Sequence, residues 1–417
     1  MPVYYLLAGG QAFFFSLVFT VNMIYQATVV GLSPLQLVLV GTMMEAACFL
    51  FEVPTGIVAD VYSRRLSTLL GVGFVGCGII LEGSVPEFWA MLGSSFLMGV
   101  GFTFTSGATD AWITDEVGED AVGPVFLRSG QVWLIGGLAG TLASVGLGVI
   151  HIQLPIVLAG VGMMLLAAAL ALLMPERHMH VTPREERTTF GHMIHTGREG
   201  IRVARGRPVA RTVILVSLIV GLASEAFDRL HTPSIIARFD FPTVFGTDSP
   251  VVWFGLSSVV GTLLGLAASE IFKRKNPEAL GVGTPARLLA ILTGIEIAGV
   301  VVFALAGSLW IAFAMLWLRG VTGTLIGPVQ GAWLNRNLDS ATRATVLSMT
   351  GQANAIGQVV GGPALGWVGS AVSVRAALLG SALVLTPILA LYARMIPRDR
   401  GIADLVEEAP EEEPLLA

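Results

Sequence analysis

Residues 51–65 read FEVPTGIVADVYSRR. The stretch begins inside a long apolar run that already carries Glu52 and Pro54, and it closes on Asp60 followed by two adjacent basic residues, Arg64 and Arg65. Arginines at the end of an apolar helix keep their charge among the lipid headgroups while the helix itself lies in hydrocarbon. The stretch therefore predicts a membrane helix that ends at a charged surface.

The composition of the whole chain extends this prediction. Of its 417 residues, 54% are hydrophobic and 13% are charged, whereas about a quarter of the residues in a soluble protein are charged. Apolar runs of about 18 residues or more recur from end to end, and each can cross a hydrocarbon core about 30 Å thick. The first run begins at Val3 without a cleavage signal, so we expect it to be retained. The fold class predicted is an all-α integral membrane protein.

Breaks at prolines, glycines and charge clusters predict twelve membrane spans. The first six are 3–30, 34–59, 66–83, 88–113, 124–150 and 154–174. The second six are 209–230, 251–272, 285–306, 309–334, 344–367 and 374–396. These boundaries predict an N-terminal six-helix bundle over 1–174, a cytoplasmic linker over 175–208, a C-terminal six-helix bundle over 209–396 and an acidic cytoplasmic tail over 397–417.

The positions of the basic residues predict the orientation. With the N-terminus in the cytoplasm, only Arg229, Arg238 and Arg375 of the 24 Lys and Arg residues fall on the outer side, and Arg319 falls inside a span. Lys and Arg accumulate in cytoplasmic loops of membrane proteins. We expect a multi-pass protein of the cell membrane with both termini in the cytoplasm.

An internal repeat supports the division into two sets of six spans. Identical residues recur at an offset of 221 through spans four and five of the first half and spans ten and eleven of the second, among them Trp112 with Trp333 and Gln131 with Gln352. The glycines at 136 and 140 repeat as Gly357 and Gly361, and their spacing is typical of tightly packed helix pairs. Because matched spans cross in the same direction, the halves are predicted to be parallel repeats.

The opening stretch also carries a family motif. The residues Gly56, Asp60, Arg64 and Arg65 resemble the loop between helices two and three of the major facilitator superfamily, although Ser63 stands where that family usually has glycine. The resemblance implies two bundles that rock about a central cavity lined mainly by spans one, four, seven and ten. It also implies that the motif latches the halves together while the transporter is open outward. The alternative for the two arginines is a purely topological anchor.

Ionisable residues inside the predicted spans point to a polar pathway. A charge at mid-membrane costs roughly 2.5–3.5 kcal/mol, so such groups are paired, protonated or wet. Glu45 and Glu52 lie seven residues apart and share a helix face, and Asp110 lies at a depth similar to that of Glu52. We expect some of these three carboxylates to carry a coupling proton, with a structural pair or a helix cap as the alternative.

A second set of charges lies in the other half. Arg319 could pair with Glu296 on the adjacent span, or it could bind an anionic group of the substrate. Glu225 and Arg229 are four residues apart and can pair on one helix face, with Asp228 between them. An outer-gate ion pair and a plain helix-end pair both fit that spacing.

Together these patterns predict a secondary transporter and not an enzyme. The phosphate-binding loop of ATPases needs a lysine, and the only lysines here are Lys273 and Lys275. We expect a monomer that exports a small amphipathic or drug-like molecule in exchange for protons, with no cofactor, metal or nucleic-acid partner. The alternatives are proton-coupled uptake of a small anionic solute, with Arg319 as its anchor, and a receptor or assembly subunit that kept the fold without transporting.

Overall fold

The computed structural model describes residues 1–177, 202, 206–275 and 284–399, and in that part of the chain the regular structure is helical. Most of the predicted linker and the tail from residue 400 lie outside the described residues. The first half forms eight helices: α1 (Pro2–Phe19), α2 (Asn22–Thr28), α3 (Pro34–Ile57), α4 (Arg64–Ser84), α5 (Phe88–Thr105), α6 (Ala108–Val117), α7 (Glu119–Ile150) and α8 (Gln153–Leu173).

The described second half forms seven helices: α9 (Pro208–Arg238), α10 (Pro250–Lys275), α11 (Pro285–Leu305), α12 (Leu309–Asn337), α13 (Ser340–Ala371), α14 (Val374–Leu385) and α15 (Pro387–Ala393). Spans one, four and twelve are therefore each built from two helices, α1 with α2, α5 with α6, and α14 with α15. Span four bends at Gly107, whose φ of 72° is open to glycine and strained for other residues.

Eleven helical segments of the described chain are long and apolar enough to cross a membrane. The predicted span within α13 is the exception, although α13 has 32 residues. It is more polar because it carries Gln352, Asn354 and Gln358. These amides are bonded inside the bundle, where Asn354 Nδ2 donates to the Ser217 carbonyl oxygen over 3.2 Å and Gln358 Nε2 donates to Asn354 Oδ1 over 2.7 Å. The all-α fold with membrane spans in two repeated halves is confirmed.

The repeated glycines make equivalent contacts in both halves. A Cβ added at Gly140 of α7 would lie 2.2 Å from the Phe13 carbonyl oxygen of α1, and one added at Gly361 of α13 would lie 2.2 Å from the Leu222 carbonyl oxygen of α9. Backbones approach this closely only where the side chain is a hydrogen atom. Span five thus packs on span one as span eleven packs on span seven.

Among the described residues, close contacts between the two halves concentrate at one end, which we call the Pro34 end. There the Leu35 amide of α3 donates to Ser370 Oγ of α13 over 2.9 Å, and Gly366 of α13 leaves room for Val38 of α3. On the other side of the bundle, Gly148 of α7 faces Val251 of α10. These contacts seal the bundle at the Pro34 end.

The distribution of apolar cores shows the same asymmetry. One core fills the first half and continues into the second half at the Pro34 end, through Phe227, Phe303 and Phe313. A separate core, which includes Trp333 and Tyr392, contains only second-half residues at the opposite end, which we call the Arg64 end. Among the described residues the halves share no core at the Arg64 end, and a pocket of about 380 Å³ lies between them on that side.

Each half is tied together by an acidic residue that follows its last span. Glu176 Oε1 accepts from the Arg65 amide at the start of α4 over 3.0 Å, and Asp399 Oδ2 accepts from the Ala286 amide at the start of α11 over 2.9 Å. Arg65 and Ala286 are themselves related by the repeat offset of 221. Asp399, assigned to the tail by sequence, is 1% exposed and also accepts from Trp333 Nε1 over 3.0 Å, so it belongs to the packed second half.

We expect Gly361→Ala to destabilise the protein, because its methyl group has no space against the backbone of α9. Overpacking of this kind costs about 1–3 kcal/mol, measured as a lower midpoint of thermal unfolding in detergent. Gly351→Ala on the same helix is the matched control, since no heavy atom lies within 4 Å of its added Cβ. Equal midpoints for the two variants would contradict the packing assigned to Gly361.

Candidate functional site

A central cavity of about 660 Å³ lies between the halves. Spans one, seven and ten line it, as the resemblance implied, but span four contributes none of its lining residues. Span eight takes that place, because the seal at the Pro34 end brings α10 against the first half. The first-half lining residues are Ser16, Phe19, Thr20, Met23, Ile24 and Thr141, and the second-half ones include Phe227, His231, Phe254, Ser257, Ser258, Glu296, Trp317 and Arg319.

The cavity wall combines aromatic rings with hydroxyl groups. Phe313 extends the aromatic layer behind the wall, stacked on Trp317 at 6.2 Å between ring centroids, and Trp317 Nε1 donates to the Ser257 carbonyl oxygen over 3.0 Å. These rings are therefore held in fixed orientations. A largely apolar wall with a few oriented polar groups suits a ligand that has both apolar and polar parts.

Arg319 is the centre of a charged cluster in the wall, which we call the Arg319 triad. Its Nη1 contacts Asp228 Oδ1 at 2.8 Å, and its Nε contacts Glu296 Oε1 at 3.3 Å. The guanidinium group also lies 4.4 Å from the ring centroid of Phe227. Since 27% of the Arg319 side chain is exposed, the triad faces the cavity and can meet a ligand.

A second ion pair lies behind the cavity at the sealed interface. Glu225 Oε1 accepts from Arg229 Nε over 2.9 Å, at the i, i+4 spacing that the sequence predicted. Both side chains pack over Gly41 of α3, so the pair bridges the two halves. Glu45, one turn further along α3, lies within electrostatic range of both Glu225 and Arg229.

The structure does not bring the three candidate proton carriers together. Glu52 is exposed and lines a separate pocket of about 380 Å³ that also contains Gln352. Asp110 is exposed in a third pocket of about 310 Å³, where Tyr4 donates its hydroxyl to Asp110 Oδ1 over 2.9 Å. Of the three, Glu45 is the one found beside a charged pair of the other half within the described part of the chain.

The two arginines of the motif contact the first half. Arg64 Nη1 donates to the Ala111 carbonyl oxygen over 2.9 Å and forms an ion pair with Asp115, both on α6. Arg65 Nη2 donates to the carbonyl oxygen of Ala171 near the end of α8. Gly56 lies in α3 and Asp60 in the π-helical turn that follows it, both half-buried.

Ser63 explains how this chain departs from the family pattern. Its backbone is extended, with φ −171° and ψ 123°, a conformation open to any residue, so glycine is not needed. Its Oγ accepts from the Leu66 amide over 2.8 Å, which caps α4, and donates to Glu176 Oε2 over 2.6 Å. Two hydrogen bonds of the serine side chain thus hold the start of α4, at a position where the family usually has the freer backbone of glycine.

Two candidate functional residues, His231 and Glu82, were not predicted from the sequence. His231 lies one residue beyond the predicted end of span seven, whereas α9 continues to Arg238, and its ring stacks on Phe227 at 5.6 Å in the cavity wall. Glu82 lies near the end of predicted span three, yet it is fully buried. For Glu82, the signal that could have found it is an ionisable residue inside a predicted span. His231 would have been found only with a longer span seven.

The arrangement of this chain matches a known transporter family. The family model described as the Major Facilitator Superfamily matches residues 5–295. The chain belongs to the Major Facilitator Superfamily. A curated relative, the "Uncharacterized MFS-type transporter YxaM" of Bacillus subtilis (strain 168), is 21% identical over 372 residues, which cover 87% of this chain and 88% of the relative.

Solved structures share the fold of this superfamily member. The nucleoside transporter NupG is similar with a TM-score of 0.72 at 14% identity, covering 94% of this chain and 98% of that one. A bacterial homologue of the human lysosomal transporter Spinster, in an inward-facing and unoccupied conformation, is similar with a TM-score of 0.69 at 15% identity, covering 95% and 98% of the two chains. Membership of the superfamily makes this chain a multi-pass membrane transporter of small molecules, and not an enzyme.

We expect Ser63→Ala to lower the free energy of unfolding by about 1 kcal/mol, because α4 loses its N-cap and Glu176 loses a donor. Thermal unfolding in detergent measures the change. Ser106→Ala, at an exposed position in the bend of span four, is the control and should unfold as the parent does. A Ser63→Ala midpoint equal to that of the control would contradict the role of the Ser63 hydroxyl.

Proposed function

We propose that this superfamily member exports a small amphipathic or drug-like molecule by alternating access, driven by the exchange of protons. The observation that carries the proposal is the central cavity, which is closed at the Pro34 end and lined by aromatic rings, hydroxyl groups and the Arg319 triad. We further propose that it works as a monomer in the cell membrane, with both termini and the Arg64 end in the cytoplasm. In that orientation the conformation is inward-facing.

The contacts of the motif support this assignment of the conformation. In the family, the motif latches the two halves while the transporter is open outward. Here Arg64 donates to α6 and Arg65 donates to α8, and both helices belong to the first half. This is the arrangement expected of a released latch, with Gly56 and Asp60 positioned at the same turn.

The cavity supports an amphipathic substrate more than a simple anion. Arg319 is already neutralised by two carboxylates, Asp228 and Glu296, so the triad as a whole does not offer a free positive charge. The rings of Phe227, Phe254 and Trp317 offer apolar surface beside it. A substrate with an apolar body and a polar or charged group can exchange partners within the triad.

Proton coupling is assigned first to Glu45. It is half-buried, and it faces an ion pair of the other half that must separate when the Pro34 end opens. Glu52 and Asp110 stay second candidates because both line pockets between or beside the spans. A carboxylate whose surroundings change between two conformations can bind a proton in one and release it in the other.

Uptake of a small anionic solute is the second candidate function. The observation in its favour is the position of the Arg319 guanidinium group in the cavity wall, 4.4 Å from the Phe227 ring centroid. In this case the solute displaces Glu296 or Asp228 from Arg319. A transport assay that includes both amphipathic and anionic solutes, with the proton gradient in each direction, distinguishes the two.

We expect Arg319→Met to fold normally and to lose substrate-driven transport by tenfold or more, because the side chain belongs to the cavity wall and its partners are partly exposed. The measurements are thermal stability in detergent and flux in proteoliposomes. Arg274→Met, which removes an exposed pair with Glu270, is the control and should change neither. Loss of folding in Arg319→Met would instead assign the triad a structural role.

We expect the triple variant Glu45→Gln, Glu52→Gln, Asp110→Asn to lose substrate-driven proton movement in proteoliposomes that enclose a pH-sensitive dye. Neutral side chains of similar size cannot exchange a proton at these positions. Glu45→Gln alone should show most of the loss. Unchanged proton flux in the triple variant would exclude all three residues as carriers.

A further inference from the structure

Glu82 is a buried carboxyl group that the proposed transport site does not use. It lies on α4 at the Pro34 end and is 1% exposed. Gln26 of α2, itself 2% exposed, donates from Nε2 to Glu82 Oε1 over 2.7 Å. The two side chains therefore form a polar pair enclosed between α2 and α4.

The remaining oxygens of this pair lack partners. Gln26 Oε1 and Glu82 Oε2 are both buried, and neither has a hydrogen-bond partner among the described residues. An amide oxygen and a carboxylate oxygen are both acceptors, so they cannot satisfy each other. A proton on Glu82 would turn its unpaired oxygen into a donor, and the unpaired amide oxygen of Gln26, in the same bonded pair, is an acceptor. One proton would then satisfy both buried atoms.

The charges around Glu82 also favour its protonated form. Among the described residues, the ionisable groups within electrostatic range of Glu82 are Tyr25 on α2 and Arg229 on α9, while the nearby Gln26 and Gln153 are neutral. Arg229 is bonded to Glu225, and Glu45 also lies within its electrostatic range. One cation thus stands against three carboxylates at the sealed interface. A buried carboxylate without its own counter-charge is strongly disfavoured, and a proton removes that charge.

Closure of the Pro34 end assembles these surroundings. Arg229 and the rest of α9 belong to the second half, and α9 packs against α2 and α3 of the first half. Separation of the halves there withdraws α9 from α2, the helix that carries Gln26. Water that enters on this side would solvate a charged Glu82.

We propose that sealing of the Pro34 end takes up one proton at Glu82, and that opening of that end releases it to the water on the same side. This inference rests on the proposed alternating access and adds a proton-linked gate to it. Because the sealed state holds the extra proton, acid favours sealing and alkali favours opening. One proton changes the ratio of sealed to open molecules by up to about tenfold for each unit of pH.

The experiment follows the gate directly, in the full chain and without substrate. Spin labels are attached to Val29→Cys and Val372→Cys, two exposed positions on opposite halves at the Pro34 end, in a background with Cys48→Ser and Cys77→Ser. Pulsed electron–electron resonance in lipid nanodiscs gives the distance distribution over roughly pH 5 to 9. We expect the short-distance population to fall as the pH rises.

Glu82→Gln is the decisive variant, since glutamine has the shape of the protonated acid. We expect its short-distance population to persist at high pH, with a dependence at least threefold weaker than in the parent. Glu119→Gln removes an exposed carboxylate at the start of α7, at the other end, and should keep the parental profile. A parental profile in Glu82→Gln, a flat profile in the parent, or failure of Glu82→Gln to fold would each overturn the proposal.

Glu45→Gln separates this gate from the proposed coupling site. If Glu45 alone senses pH, its variant gives the flat profile and Glu82→Gln does not. The distances require neither a known substrate nor transport, so an incorrect substrate class or direction of transport leaves the result intact. Conversely, a failed gate leaves the flux experiments on Glu45, Glu52 and Asp110 interpretable.

Discussion

The packing of α3 against α13 and α9 at the Pro34 end determines the state of the whole molecule. This contact depends on glycine, since Gly41, Gly366 and their neighbours let helices from different halves approach until side chains interlock. In hydrocarbon the hydrophobic effect does not drive helices together, so such close packing is what holds the halves to each other. The central cavity, the pocket between the halves at the Arg64 end and the contacts of the motif within the first half all follow from a seal at one end.

The two groups of charged residues in the second half differ in how far they are buried. The Arg319 triad is partly exposed in the cavity wall, where its ion pairs can exchange with a ligand. The Glu225–Arg229 pair is buried at the interface, where it stabilises the sealed state through a bond within one helix and packing on another. We therefore propose that ion pairs of similar geometry serve recognition in one place and closure in the other, because the first pair is more exposed than the second.

Much of this architecture could be predicted from the sequence, because helix length, apolar composition and the offset of 221 are local or repetitive signals. The pairing of Glu225 with Arg229 also follows from spacing alone. The distribution of Glu45, Glu52 and Asp110 among separate surroundings could not be predicted, since it depends on which end of the bundle is sealed. The hydrogen bonds of Ser63 and Asp399 could not be predicted for a related reason. Their partners, Glu176 and Ala286, are more than a hundred residues away in the sequence.

The acidic residues that end each half have a consequence for biogenesis. Glu176 directly follows span six, so its bond to the start of α4 requires no residue of α9. The first six spans can therefore close into a finished unit inside the membrane while the ribosome is still translating the linker. In the second half the equivalent bond joins Asp399 to the start of α11, so that half can close only after span twelve has been synthesised. The internal repeat thus gives each half its own means of closing, at the point in synthesis where its last span is complete.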